Sequence, residues 1–314
     1  MSLFPPREVV CGVQLHVQTK TRTLREPWED QAGVAELATI ADKAEEIDLA
    51  YIGVCDHVAI PDNDYARHMS TTWFDTVATL GFLAARTSRI RLLSNVFIPG
   101  YRHPLHVAKA FMTLDHLSGG RVILGVGVGH VEAEFDALGV DYLVRGRLLD
   151  ESIDAVRVSF AEEWTSFQGQ EWKWEQMGQA PRPVQQPVPI WVGGRGRPAL
   201  RRVAERGDGW IPQGTPRAQM AGDVAYIREV ADRVRPDARL DLGFMSEWIY
   251  VGQPDWDLGP APHLTGSPES IAESLRYAHE LGCSHVQVRL RSRSLDELLD
   301  QMDAFGRDVL PLVR

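Results

Sequence analysis

A histidine beside an aspartate can run acid–base chemistry near neutral pH, and the pair Asp56 and His57 stands where an apolar run gives way to a polar one. The imidazole could give or take a proton while the carboxylate contacts a ligand or fixes the ring. A capping or packing pair is the alternative, because adjacent strand residues point apart and reach one site only where the strand has already turned. A second stretch, RVILGVGVGHVEAEF from Arg121 to Phe135, sets Gly125, Gly127 and Gly129 at a period of two, leaving one strand face bare while Val126 and Val128 fill the other. Such a face admits a ligand close to the backbone or serves only barrel packing. If the amides after Gly129 open a helix through Glu132 and Phe135, they form a seat for an anion. His130 stands where a dinucleotide fingerprint needs its third glycine, so that motif is absent. A third stretch, GGRGRPAL, combines Gly193, Gly194 and Gly196 with Arg195 and Arg197 just before a helix opened near Pro198, an anion seat or else a solvated turn.

The remaining chemistry-bearing residues exclude more than they offer. His103, His106, His116 and His130 lack the spacing of a helical metal site, so no metal is expected. Cys11, Cys55 and Cys283 are three and widely separated, which argues against a disulfide framework and for a reducing, cytoplasmic setting. With a formal charge of -10 and no long basic run, nucleic acid is not an expected partner, and an anionic ligand needs local positive groups. No apolar run approaches the roughly 18 residues of a membrane span, and the start MSLFPPREVV lacks the pattern of an export signal. Trp73, Trp210 and Trp248 fall near strand ends or loops and could wall a pocket for a flat ligand.

These residues need elements to carry them, and the hydrophobic period supplies an alternation. Strands are expected at Val9 to Leu15, Leu49 to Cys55, Ile90 to Ile98, Val122 to Val128, Pro189 to Val192, Gly209 to Pro212, Leu242 to Val251 and His285 to Leu290. Between them fall helical patterns, including Ala32 to Ile47, Pro104 to Leu117, Arg147 to Phe160 and Ala218 to Arg233. Ser267 with Pro268 starts another helix, and Ser294 with Glu297 reads as a capping box for the last. Residues 161–187 break the rhythm with Trp164, Trp172 and Trp174 around Gly169 and then PRPVQQPVP, an inserted hairpin and loop. Gln253 to Gly266 reads as a long loop. Both insertions could shape a mouth. Eight such units in 314 residues, 44% of them hydrophobic and with no shift of composition, indicate one (β/α)8 TIM barrel domain over 1–314. In such a barrel chemistry sits at the carboxyl ends of the strands, where Asp56, His57, Asn95 to Gly100, Gly127 to His130 and Gly193 to Arg197 converge.

The runs LDHLSGGRVILGVGVGHVEAEFDALGVDYLVRGRLLDESIDAVR, PRPVQQPVPIWVGGRGRPALRRVAERGDGWIP and LTGSPESIAESLRYAHELGCSHVQVRL resemble the bacterial luciferase-like superfamily, and within it the oxidoreductases that use the deazaflavin coenzyme F420. The resemblance covers nearly the whole chain and implies the same barrel. It further implies that Asp56 and His57 contact the cofactor, with His57 exchanging a proton with substrate. A cis peptide between Asn95 and Val96 behind the cofactor ring is implied too. Gly127, Val128, Gly129 and His130, with Gly193, Gly194, Arg195, Gly196 and Arg197, match the positions that hold the cofactor's tail and phosphate. The family's sugar-phosphate dehydrogenases carry a glutamate after the glycine run and a tryptophan after the Asp-His pair. Here His130 and Pro61 stand at those positions, so that activity is not expected.

Three functions follow from these expectations. The first is hydride transfer between F420 and a small organic substrate, an uncharged one if the aromatic insertion and Trp256 line its site, with His57 moving the proton. A monooxygenase using flavin mononucleotide (FMN) is the second, and a non-catalytic flavin-binding barrel the third. A cytoplasmic homodimer is expected.

Overall fold

The computed structural model describes residues 2–4 and 8–313. Its strands are β1 (Val10–Gln14), β2 (Tyr51–Val54), β3 (Arg91–Ser94), β4 (Val122–Val126), β5 (Trp164–Gln168), β6 (Lys173–Gly178), β7 (Ile190–Gly193), β8 (Gly209–Ile211), β9 (Asp241–Val251), β10 (His263–Gly266) and β11 (His285–Leu290). Eight of them pair in parallel in the order β1-β2-β3-β4-β7-β8-β9-β11, and β11 returns to β1. The result is a closed (β/α)8 barrel, as the alternation predicts.

Helices cover the outside because each carries one apolar stripe at the helical period. In α1 (Val34–Glu46) the stripe is Leu37, Ile40, Ala41 and Ala44, and burying each of its larger side chains stabilises the fold by about 1.5–3 kcal/mol. The series continues with α2 (Thr76–Arg86), α3 (Pro104–Ser118), α4 (Glu132–Ala137), α5 (Arg145–Ala161), α6 (Arg197–Arg206), α7 (Arg217–Val234), α8 (Pro268–Glu280) and α9 (Leu295–Ala304). Ser294 caps α9 through the Glu297 amide at 3.1 Å, but the reciprocal half of the expected box is missing. The Glu297 carboxylate instead takes the Arg293 amide and guanidinium.

The amino-terminal end of the barrel is plugged by aromatic side chains. Tyr51 hydrogen-bonds His285 Nδ1 at 3.1 Å, and Trp191 stacks on that imidazole at 4.3 Å. Burial pushes the His285 pKa down to about 3, so the ring is a neutral packing element. Gly12 is required there, since a Cβ would lie 2.4 Å from the Tyr51 ring. This seals one end and leaves the other for a ligand.

Three local features differ from the sequence expectation. β3 stops at Ser94 rather than Ile98: the chain steps at a cis Asn95–Val96 peptide and rejoins β4 through Phe97 N–H to Gly125 O at 2.8 Å. The stretch expected as a loop over Gln253 to Gly266 contains β10, which pairs with β9 from Trp248 to Val251. The expected hairpin forms as β5 and β6 but spends its aromatic surface on itself and on α3. Phe167 stacks on Trp174 at 5.0 Å, Trp172 packs edge-on to His103 at 4.9 Å, and neither hairpin strand lines the barrel cavity.

Candidate active site

At the carboxyl ends of β2, β3, β4 and β7 a cavity of about 370 Å³ opens. Its floor is backbone, and Val96 is the side chain that the floor is built to seat. A Cβ on Gly127 would lie 2.5 Å from one Val96 methyl, and a Cβ on Gly193 would lie 2.6 Å from the other. The space beside the alternating glycines is therefore occupied by neighbouring chain: Ser94 O lies 2.0 Å from where a Gly125 Cβ would stand, and the Phe135 ring 2.7 Å from one on Gly129. Gly127 and Gly129 still present their backbone to the cavity, as do Gly193 and Gly194. Gly194 is fixed by Trp210, whose indole N–H donates to its carbonyl at 2.9 Å.

His57 lies just past the end of β2, where the chain has turned, and it is held from behind by Glu134 of α4. Its Nδ1 is 3.0 Å from Glu134 Oε2, which also accepts the Tyr101 hydroxyl at 2.9 Å. The other oxygen, Oε1, accepts the amides of Val58 at 2.5 Å and Ala59 at 3.0 Å. Burial works to raise the Glu134 pKa, but the hydrogen bonds from His57, Ala59 and Val58 and the charge of His57 outweigh it and hold it below the ordinary 4.5. Burial and then the Glu134 charge push the Tyr101 hydroxyl upward, so it stays a donor. An ionised carboxylate only accepts, so Nδ1 carries a proton whether or not the ring is charged, and in the uncharged ring the lone pair left for the cavity is on Nε2. Trp73 packs on the ring at 4.4 Å and His130 sits 5.5 Å away. Desolvation, then the neighbouring His57, lowers the His130 pKa.

Asp56 borders the same cavity as His57, but its carboxylate is buried in an ion pair. Arg102 grips it with two hydrogen bonds of 2.7 and 2.9 Å, and the Ile98 amide adds a third of 2.9 Å. The pair thus separates by role: Asp56 ties β2 to the segment after β3 and His57 is left to meet a ligand, while both line the cavity. Asn95 stands beneath, donating to Gln287 at 2.8 Å. Cys55 also lines the cavity, but burial pushes its thiol up to about 12, which removes it as a nucleophile.

The glycine-arginine turn splits likewise. Gly193 and Gly194 line the cavity, whereas Arg195 reaches the Gly214 carbonyl at 3.1 Å and Arg197 lies over the Tyr226 ring at 3.9 Å. Gly196 is the N-cap of α6, whose first turn carries no acidic residue. The first turn of α4 carries Glu132 and Glu134, so the amides after Gly129 make a poor anion seat and α6 is the better one. Sequence reasoning missed Glu134, Tyr101 and Arg102. It sought a glutamate at position 130, and the carboxylate on His57 arrives four residues later. Among the described residues no group of three or more His, Cys, Asp and Glu side chains could hold a metal ion, and no helix is long and apolar enough to cross a membrane.

The model of the luciferase-like monooxygenase family matches residues 13–255. The chain belongs to that family. A similar relative is an uncharacterised protein of Mycobacterium tuberculosis, 37% identical over 241 residues and covering 76% of each chain. Another is the F420-dependent glucose-6-phosphate dehydrogenase of Amycolatopsis mediterranei, 32% identical over 186 residues, which are 58% of this chain and 54% of that one. Among solved structures, an F420-dependent secondary alcohol dehydrogenase superposes with a TM-score of 0.78 at 18% identity, covering 98% of this chain and 99% of that one. That likeness shows the shared fold. This luciferase-like barrel is an oxidoreductase scaffold with its histidine, glycine floor and α6 terminus at one rim.

Proposed function

We propose that the protein is an F420-dependent oxidoreductase acting on a small organic substrate. The observation that carries the reading is His57, locked by an ionised Glu134 and facing a cavity with a backbone floor. The residues fit a flat deazaflavin. Val96, seated between Gly127 and Gly193, would support one ring face, with Asn95, Val128 and Gly129 beside it. The turn from Gly194 to Arg197 at the α6 terminus would take the anionic tail, because it offers amides and two guanidinium groups without a local carboxylate. When bound, F420 supplies the hydride acceptor or donor.

The chain's own residues manage the proton. His57 Nε2 takes it from a substrate hydroxyl as hydride leaves the carbon, or returns it in the opposite direction. Glu134 keeps the tautomer that makes this possible and stabilises the imidazolium that results. Trp73 and Met69 add apolar wall to the cavity beside that exchange. The relatives that are named for F420 support the cofactor assignment. The same reading includes a cytoplasmic homodimer, with no nucleic acid or membrane partner.

Fluorescence titration of the purified protein with F420 and with FMN tests the assignment. F420 is expected to bind more tightly. Equal or reversed affinities would transfer the chain to FMN-dependent monooxygenase chemistry.

A further inference from the structure

We propose that Arg289 recognises a carboxylate of the substrate, making the substrate an organic acid rather than the uncharged molecule that the aromatic insertion suggested. β11 sends alternate residues inward, layer by layer. His285 meets Tyr51 at the closed end, Gln287 meets Asn95 and Gln14 above it, and Arg289 follows at the carboxyl end. A gap of about 10 Å³, the room of about one water, lies beside Arg289 and is lined by Gln14, His16, Leu24 and Trp248. Leu24 also lines the His57 cavity, and the thiol of Cys55, another wall residue there, lies within electrostatic reach of the guanidinium.

What sets Arg289 apart from the other arginines that are at least half-buried is the lack of an acceptor. Its guanidinium lies 5.6 Å from the Trp248 ring centroid and makes no hydrogen bond or ion pair with any of the described residues. Arg291 lies over the same indole at 5.0 Å but is paired with Glu26 at 3.1 Å. Arg102 has Asp56, and the buried Arg121 donates to carbonyls of Ser118, Ile90, Ala84 and Thr87. A half-buried guanidinium without an anion carries a desolvation cost, seen as a pKa pushed below the ordinary arginine value first by burial. The Trp248 ring lies to one side of the group, and a guanidinium with unengaged N–H groups can take a carboxylate with two parallel hydrogen bonds. One uncompensated positive charge balances one negative, which favours a carboxylate over a phosphate dianion. Leu24, Trp248, Met69 and Trp73 offer apolar surface to the rest of the molecule.

The oxidoreductase reading is needed only to call this ligand a substrate, so the two can fail separately. Benzoate, cinnamate and cyclohexanecarboxylate, each beside its primary amide, are titrated by ligand-observed NMR into wild type and Arg289→Gln, with and without F420. Wild type is expected to bind at least one carboxylate about tenfold or more tightly than its amide, and Arg289→Gln to bind both alike, with an unchanged thermal melt. Arg289→Lys, which keeps the charge and loses the fork, is expected to lose part of the preference and serves if the glutamine variant does not fold. No preference in wild type at millimolar concentration, or a preference surviving in Arg289→Gln, overturns the proposal. A tenfold loss of F420 affinity in the variant also overturns it, by assigning Arg289 to the cofactor's own anionic tail. Carboxylate preference without F420 binding would keep the subsite and remove the cofactor assignment instead.

Discussion

Replacing Glu134 by glutamine keeps the shape of the site and reverses one of its polarities. Glu134 Oε1 serves two amides and Oε2 serves His57 and Tyr101. A glutamine oxygen suits the two amides, because an amide N–H cannot accept. Its NH₂ then faces two groups that had been donating. The Tyr101 hydroxyl can rotate to accept, but His57 must present a lone pair at Nδ1 and move its proton to Nε2. The variant is therefore expected to remain folded, with a loss of about 1–3 kcal/mol from the charge-assisted bonds. Its histidine is turned from proton acceptor to donor toward the cavity. Losing a positioned base lowers a rate by roughly 100-fold to 10,000-fold, and substrate oxidation is expected to fall within that range while F420 affinity holds. Two measurements check this. Nitrogen-15 NMR of labelled histidine reads the tautomer without any substrate, and stopped-flow F420 reduction at saturating cofactor reads the chemistry. An Nδ1-protonated His57 in the variant, or a wild-type rate with the tautomer changed, would refute the reasoning.

Other consequences follow from single contacts. Gly193→Ala places a Cβ 2.6 Å from Val96 and is expected to cost about 1–3 kcal/mol in urea unfolding. Adding Val96→Ala should restore much of it in a double-mutant cycle. Arg102→Ala leaves Asp56 as an unpaired buried charge and is expected to destabilise the fold by about 3–5 kcal/mol, read as a lower urea midpoint at pH 7. Glu45 is partly desolvated, yet the amides of Arg89, Ile90 and Ser88 draw its pKa from 4.5 down to about 2. Its folded value is depressed, so its stabilisation is present above pH 4.5 and is lost as pH falls from there toward 2. Urea midpoints between pH 6 and pH 2 should fall less steeply in Glu45→Gln than in wild type.

The elements were legible in the sequence because their cause is local. Hydrophobic period, proline at the start of α3 and α8, and Ser267 and Ser294 as caps all act within a few residues. The glycine run was legible as a place of close approach but not as to what approaches, since Val96 and Phe135 reach it through tertiary packing. His57 could be nominated from its type and its place after a strand. Its partner could not, because Glu134 lies 77 positions away and is brought there by pairing of β2 with β3 and β3 with β4. The same closure delivers Arg102 to Asp56 across 46 positions. Once the barrel order is known, however, the search narrows. Arg102 and Glu134 each stand eight residues past the end of a strand, at Ser94 and Val126, on the next rim segments around from β2. A buried charge at one strand end therefore calls for its counter-charge in the segments after the neighbouring strands. By that rule Arg289, at the end of β11 beside β1 and β9, finds Gln14, His16, Leu24 and Trp248 around its void and no carboxylate among them. The missing anion is what directs attention to a ligand there.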